Sequence, residues 1–450
     1  MLCCSGESLF ALGERLSIRG VGMAGATAAV SSGLDAAGIN PANIALAEHE
    51  FFGFTVVPIG FHAGGDVLSY GVYSEYFTGI ESINGRASRY LSEADKQAIL
   101  SRFEGGSGRS NVDIEARMLG VSLRMADLGI LAFTVSDVGA ATLEFPDDYA
   151  LFLLYGNPLG SRYEFEGTAL TATWMREYAA SFARCLEEVP GFQWLAIGAT
   201  AKLVHGFGYY EIIRSDSWIE TSSYGVLTGQ VDFLARVSES STLDASGFDV
   251  FPRPAGHGWG LDVGFSGGIT EFLRFGASVT DIGTVTWFAN TQELSTHDSI
   301  SFDNPLDPNQ QNALIEAISG SEQKATSSFM TRLPATVRAG IALELHKTDM
   351  FVEMPGELLL GFDYAQGLEN AMSFSGGPRF SFGAEYSLVP WLPLRTGVRF
   401  GRDERAQLAF GFGVHVENLQ IDLASEDIGW VLSPSGASTG SFAAGVSLQF

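Results

Sequence analysis

Residues 337–345 read VRAGIALEL, a run in which every second side chain is apolar. In an extended strand successive side chains point to opposite faces. Val337, Ala339, Ile341, Leu343 and Leu345 therefore share one face, and Arg338, Gly340, Ala342 and Glu344 the other. A single run of this kind fits any half-buried sheet, so its repetition is what decides the fold. Leu358, Leu360, Phe362 and Tyr364 alternate with Gly361 and Asp363. Phe380, Phe382, Ala384, Tyr386 and Leu388 alternate with Ser381, Gly383, Glu385 and Ser387. The same period runs through 394–400, 408–414, 419–423 and the earlier Leu273, Phe275, Ala277 and Val279.

The two faces differ in kind. One carries large aromatic and aliphatic groups. The other carries Gly, Ser and the charges Arg274, Arg338, Glu344, Asp363, Glu385, Arg395 and Arg399. A β-sandwich also alternates, because one face of each sheet packs on an apolar core. Aromatics set opposite glycine and charge favour a lipid-facing wall around a polar lumen. Those charges are expected either to line a path or, the safer reading, to pair with one another.

The composition agrees: 450 residues with 46% hydrophobic, only 17% charged, 54 Gly and 33 Phe. No stretch is long and apolar enough for a helical span, and a membrane-spanning sheet must close on itself to leave no unpaired edge in hydrocarbon. The expectation is an all-β chain, a transmembrane antiparallel β-barrel of about 14 strands within a range of about twelve to sixteen. The net charge of −26 argues against nucleic acid as a partner, since phosphate binding needs clustered Lys and Arg. Outer-membrane lipid is the expected surrounding, with Trp391 and Tyr386 in interfacial girdles.

Two interruptions predict helices at the barrel mouth. In 91–103, Ser92 and Asp95 have capping-box spacing and Ile99, Leu100 and Phe103 form a stripe. In the second, Asp307 caps, Pro308 takes the first turn, Leu314, Ile315 and Ile318 form the apolar face and Gly320 ends it.

Residues 14–48, ERLSIRGVGMAGATAAVSSGLDAAGINPANIALAE, are rich in small side chains and have no period-two run. They predict a plug inside the lumen, since a barrel of this width would otherwise be an open hole and Gly and Ala let backbone pack closely on the wall. The division is 1–13 as a leader remnant or disordered, 14–48 as plug or hatch, and 49–450 as barrel. The opening MLCCSGESLF has neither the basic residues nor the apolar core of a secretory signal; a truncated or misassigned start is the expectation, with the bacterial outer membrane as the location.

The plug pattern, Arg19-Gly20, Gly22, Met23-Ala24-Gly25-Ala26, Asp35 and Asn40-Pro41-Ala42, resembles the N-terminal hatch of FadL-type fatty-acid transporters and PorV-like outer-membrane barrels. Where the transporters usually continue with Gly, Asn43 follows here. The plain alternative for Asn40-Pro41-Ala42 is a turn that ends a short helix. Over nearly the whole chain, YLSEADKQAIL, LLLYGNPLGSRYEFEG, AIGATAKLVHGFGYYEI, GHGWGLDVGF and the Asp-Ile-Gly repeats at Asp281 and Asp427, the first followed by Trp287, resemble an uncharacterised outer-membrane barrel family that is itself FadL-like or PorV-like. The closing strand SFAAGVSLQF ends on Phe450 and resembles the signal read by the barrel-assembly machinery.

The resemblance implies passive transport of small, hydrophobic molecules, with no enzyme activity and no cofactor. A PorV-like platform for partner proteins is the second reading. A barrel lipid hydrolase is the third. Gly264-Phe265-Ser266-Gly267-Gly268 has nucleophile-elbow spacing, with His205 and His257 as candidate bases, but a tight glycine turn between strands explains it better. Gly20, Gly22 and Gly25 have dinucleotide-loop spacing without the strand and acidic partner such a loop needs. Cys3, Cys4 and Cys185 form no disulfide framework, Asp303 with Asp307 lacks a full calcium loop, and no metal site is expected.

Overall fold

The computed structural model describes residues 15–450 except 48–50, 66, 68, 83–84, 88, 187, 242–250, 304–307, 309, 311, 313–321, 349–350, 352–354, 369–376, 402–405 and 433–438. Fourteen strands close into one antiparallel barrel. In chain order they are β1 (Phe52–Gly65), β2 (Ser107–Arg124), β3 (Ile130–Pro146), β4 (Ala169–Leu186), β5 (Trp194–Ser215), β6 (Gly256–Gly268) and β7 (Leu273–Trp287). Then come β8 (Thr336–Glu344), β9 (Glu357–Gly367), β10 (Pro378–Ser387), β11 (Pro393–Gly401), β12 (Gln407–Val416), β13 (Leu419–Ser425) and β14 (Thr439–Gln449). Each pairs with its chain neighbour, and β14 returns to β1 with Gly53 opposite Gln449. At that seam the Phe450 carbonyl accepts from the Phe51 and Phe52 amides at 2.6 and 3.0 Å, so the terminal aromatic sits where the cylinder closes.

Connections at one end are short, among them 125–129, 269–272, 388–392 and 417–418; those at the other, such as 66–106 and 288–335, are long. Short turns lie on the periplasmic side of outer-membrane barrels, which orients the molecule.

The outward face is the apolar one. Ile341 lies opposite Phe362, Phe362 opposite Phe382 and Phe382 opposite Val398, and the Phe362 and Phe382 rings are 4.8 Å apart. The band has an upper edge. On β5 the exposed Ile197 and Leu203 give way to His205, and on β6 Phe265, Val263, Leu261 and Trp259 give way to His257. His205 and His257 lie edge to face at 5.0 Å, in one row with the Arg176–Asp137 ion pair at 2.5 Å. Charge on the lipid face is costly at mid-membrane and cheap near the interface, so this row marks the boundary. Above Gly206, β5 leaves β6 and pairs instead with Leu227–Glu239, which pairs with Gln292–Phe302, building a sheet that stands above the wall.

Several strands change parity midway. Asp281 has φ +61°, a left-handed residue that works as a bulge. Inward positions are Gly276, Ser278 and Thr280 before it, and Val285 and Trp287 after it. Trp287 is fully buried in the upper lumen against Gly206 and Gly256, and its Nε1–H donates to Thr331 Oγ1 at 2.8 Å.

The expected mouth helix is present as Glu93–Leu100, with both halves of the capping box formed by Ser92 and Asp95 and with Ile99 and Phe103 buried. Hydrogen bonds from the Ser92 amide and hydroxyl hold the exposed Asp95 carboxyl below the usual carboxylate range. The second expected helix, Asp307 to Gly320, lies mostly outside the described residues. The expected glycine turn at 264–268 is corrected. Those residues are the last part of β6 in regular pairing with β5, and the turn follows at 269–272. The glycines there provide room rather than a reversal of chain direction.

Candidate functional site

Residues 15–47 contain no strand. They form a five-residue helix, Ile18–Gly22, and two 3-10 turns, Gly33–Ala36 and Pro41–Leu46. Ser17 starts the helix by accepting the Gly20 amide at 2.8 Å while donating to Asp35 at 2.7 Å. Gly25, at φ +89°, turns the chain after it, which no side-chain-bearing residue does cheaply. Asn40 begins a turn, with its side chain accepting from Ala42 and Pro41 in the first position. The plain alternative for Asn40-Pro41-Ala42, a helix ending, is thereby corrected. The glycines at 20, 22 and 25 follow no strand, which removes the dinucleotide-loop reading.

Nearly all of this segment is buried, and its partners are inward-facing residues of the wall. Charges do the first part of the holding. Arg15 reaches Glu177 and Asp281, each at 2.6 Å, and Lys202 joins them, 2.5 Å from Asp281 and 2.9 Å from Asp262. Arg19 meets Glu385 at 2.6 Å; Glu385 also holds Arg395, which pairs with Asp422. Asp363 accepts the backbone amides of Thr27 and Ala28 at 2.7 and 2.6 Å. Arg117 donates to the carbonyls of Leu34, Leu16 and Ala37. Buried backbone without such partners would be strongly unfavourable.

Amide and hydroxyl contacts add a second layer. Asn40 Nδ2 donates to Ser266 Oγ at 2.9 Å and to the Ala28 carbonyl at 3.0 Å, and Asn43 also bonds Ser266. Both asparagines are fully buried. The residue that departs from the FadL pattern therefore has a structural task.

Shape does the rest. A Cβ added at Gly276 would lie 2.1 Å from the Ala28 carbonyl oxygen, at Gly264 2.1 Å from Asn40 Oδ1, at Gly198 2.4 Å from Pro41, and at Gly397 2.5 Å from Met23. Gly383 and Gly361 receive Met23 and Ala26 in the same way. None of these strand glycines has positive φ. Their lack of a side chain is spatial, a groove around the lumen in the outline of the segment.

The other anticipated lumen charges have polar partners on the wall. Arg274 meets Glu344 at 2.7 Å, Arg338 donates to Thr280 at 2.9 Å and Arg399 approaches Glu426 at 3.4 Å. Glu115, Arg117, Glu177, Lys202 and Asp262 were missed by the sequence reading. Glu115 and Arg117 lie on β2, whose alternation is broken at Met118, and Lys202 on β5, which bulges at Phe207 opposite Trp174, whereas Glu177 and Asp262 sit on strands that keep one parity. For Glu115 and Arg117 the signal is charge at alternate positions in 109–117.

Toward the short turns the lumen opens into a vestibule of about 560 Å³, bordered by Arg19, Asp35, Arg117, Glu385, Arg395 and Asp422 among others. A much smaller cavity, of about 40 Å³, lies on the other side of the segment and is bordered by His62, Asp113, Glu115, Arg338 and Glu426.

The hydrolase arrangement does not assemble. Ser266 is buried facing the lumen, whereas His205 and His257 face outward on the same wall. Among the described residues no three His, Cys, Asp or Glu side chains cluster in a way that could hold a metal; Asp303 pairs with Gln310, and Asp307 lies outside the described residues. Cys185 is exposed, and Cys3 and Cys4 lie outside the described residues.

A closed barrel with an apolar exterior and a filled, charged lumen is a transmembrane β-barrel of the outer-membrane type. The chain belongs to the family of unknown function DUF5723, whose profile matches residues 41–426. No curated protein matches it in sequence. Among solved structures it is similar to the Ralstonia pickettii toluene transporter TbuX, with 13% identity, 97% of this chain and 98% of that chain covered, and a TM-score of 0.49. Similar too are the Pseudomonas putida toluene transporter TodX (10% identity, 98% and 98% covered, TM-score 0.45) and a Pseudomonas aeruginosa FadL homologue (13%, 96% and 98%, 0.44).

Proposed function

We propose that this protein is a passive outer-membrane channel for small molecules, closed at rest by its N-terminal segment acting as a plug. The observation that carries the reading is the vestibule of about 560 Å³ that opens on the short-turn side and ends against residues 16–35. A barrel serving only as an anchor has no need of an open chamber abutting a strand-free segment of chain. The charged lining favours cargo with polar groups over bare hydrocarbon. In this reading the terminal strand ending at Phe450 is the contact with the assembly machinery, and no cofactor takes part.

Liposome swelling and planar-bilayer recording on the full chain and on a variant lacking residues 15–47 test the proposal. The full chain is expected to be silent or to flicker, and the shortened one to pass small solutes freely. Absence of flux from both, with the barrel folded, would sink it.

One feature favours a second reading, a platform for partner proteins: the paired strands Leu227–Glu239 and Gln292–Phe302, which stand above the membrane band. Cross-linking in native membranes decides between the two, since a platform yields a defined partner at this sheet and a channel does not.

A further inference from the structure

The segment does not meet the wall evenly. Around β5 to β12 its backbone lies on glycine, but along the closing seam it touches through two side chains. Leu16 Cδ1 sits 2.6 Å from where a Cβ on Gly60 of β1 would be, and Ile18 Cδ1 2.5 Å from the corresponding point on Gly445 of β14. With Ala424 and Ala443 they make a small buried apolar cluster.

That cluster lies between the two cavities. The vestibule borders β1 at Gly53–Thr55 and Pro58 and β14 at Gly445–Gln449; the upper cavity borders the same strands at Gly60–His62 and Ser441–Ala443. Leu16 borders both. An apolar contact one side chain thick between a polar vestibule and a second, smaller cavity is the geometry of a hydrophobic constriction, which closes by excluding water and opens when its apolar groups move. Other side chains of the segment also pack on the wall, Leu34 and Ile44 in a cluster with Ile130, Ala132 and Ala183, and Met23 and Val30 in one with Ala342 and Leu359, but none of them borders both cavities.

We infer that passage runs along the β14–β1 seam and is controlled by Leu16 and Ile18 as an apolar valve, admitting small hydrated solutes from the vestibule to the cavity at His62, Asp113 and Glu426. This rests on the channel reading above. The valve works without withdrawal of the plug, because the flanking Arg15 and Arg19 keep their ion pairs while the side chains between them change rotamer.

The test is planar-bilayer conductance in potassium chloride, with folding checked by circular dichroism and by the heat-dependent gel shift of barrels. It compares the full chain, Leu16→Gly with Ile18→Gly, Met23→Gly as a substitution on the glycine-seated arc, and the variant lacking 15–47. The inference expects steady conductance from the double variant and silence from Met23→Gly. If both conduct alike, or if only the shortened chain conducts, the seam valve is wrong while the channel stands. If folded protein lacking 15–47 is itself silent, the channel reading fails and takes the valve with it. Leu16→Met alone, close in volume, is expected to remain shut, and its opening would also overturn the assignment.

Discussion

Two arcs of one wall treat the same segment differently. From β5 to β12, strand glycines admit the plug's backbone to van der Waals distance, and Asp363, Ser266 and Glu385 fix it with hydrogen bonds and ion pairs. Across β14 and β1 the contact is two aliphatic side chains over Gly60 and Gly445. Backbone seated on backbone has one position, whereas side chains have rotamers. In the proposed plug the rigid seat and the compliant seam fall on different strands.

The largest way to break this contrast is at Arg15. Arg15→Ala leaves Glu177, Asp262 and Asp281 with Lys202 alone, and uncovering buried carboxylates costs about 3–5 kcal/mol. Urea titration with limited trypsin treatment should show cleavage at Arg19 well before the barrel unfolds; cleavage and barrel loss in step would mean that plug and wall are one cooperative unit. Next comes the groove. Gly276→Ala drives a methyl into the Ala28 carbonyl, and overpacking of this kind costs about 1–3 kcal/mol. Gly208→Ala on β5, with open space around it, should stay within about 0.5 kcal/mol. Equal effects of the two on the denaturation midpoint would remove the spatial account of the glycines. The smallest effect is local: Ser92→Ala deletes the cap of the mouth helix, about 1 kcal/mol. Hydrogen exchange should quicken in 93–100 and leave 15–47 unchanged.

Much of the wall could be read from the chain. The period-two runs of β7 to β14 and the closing aromatic are local patterns, and each strand there keeps one parity for most of its length. β1, β2 and β5 were harder because bulges at Val57, Met118 and Phe207 swap inward for outward, so that no single alternation spans them. The same swap at Asp281 hid the inward Trp287. Of the candidate site, the small-residue segment and Asn40-Pro41 were visible, as were the paired charges Glu385 and Arg395. Glu177, Lys202 and Asp262 were not, since their meaning lies in a partner 162 or more positions away in the case of Arg15 and Glu177. The glycines at 264–268 suggested a turn because spacing along a chain does not tell that they make room for Asn40, Phe275 and Trp194 within a continuous strand.

By itself, then, the order of residues determined that this chain makes many amphipathic strands, that they close, and that a segment too small-featured to be a strand precedes them. Hydrophobic period and backbone pairing are properties of neighbours, and neighbours are written in sequence. Only the tertiary structure decided where that segment lies, which glycines exist to receive it, and that Leu16 and Ile18 face the seam between two cavities. Those facts depend on which strands curvature brings around to meet the plug, and closure of a cylinder is a relation among residues hundreds of positions apart.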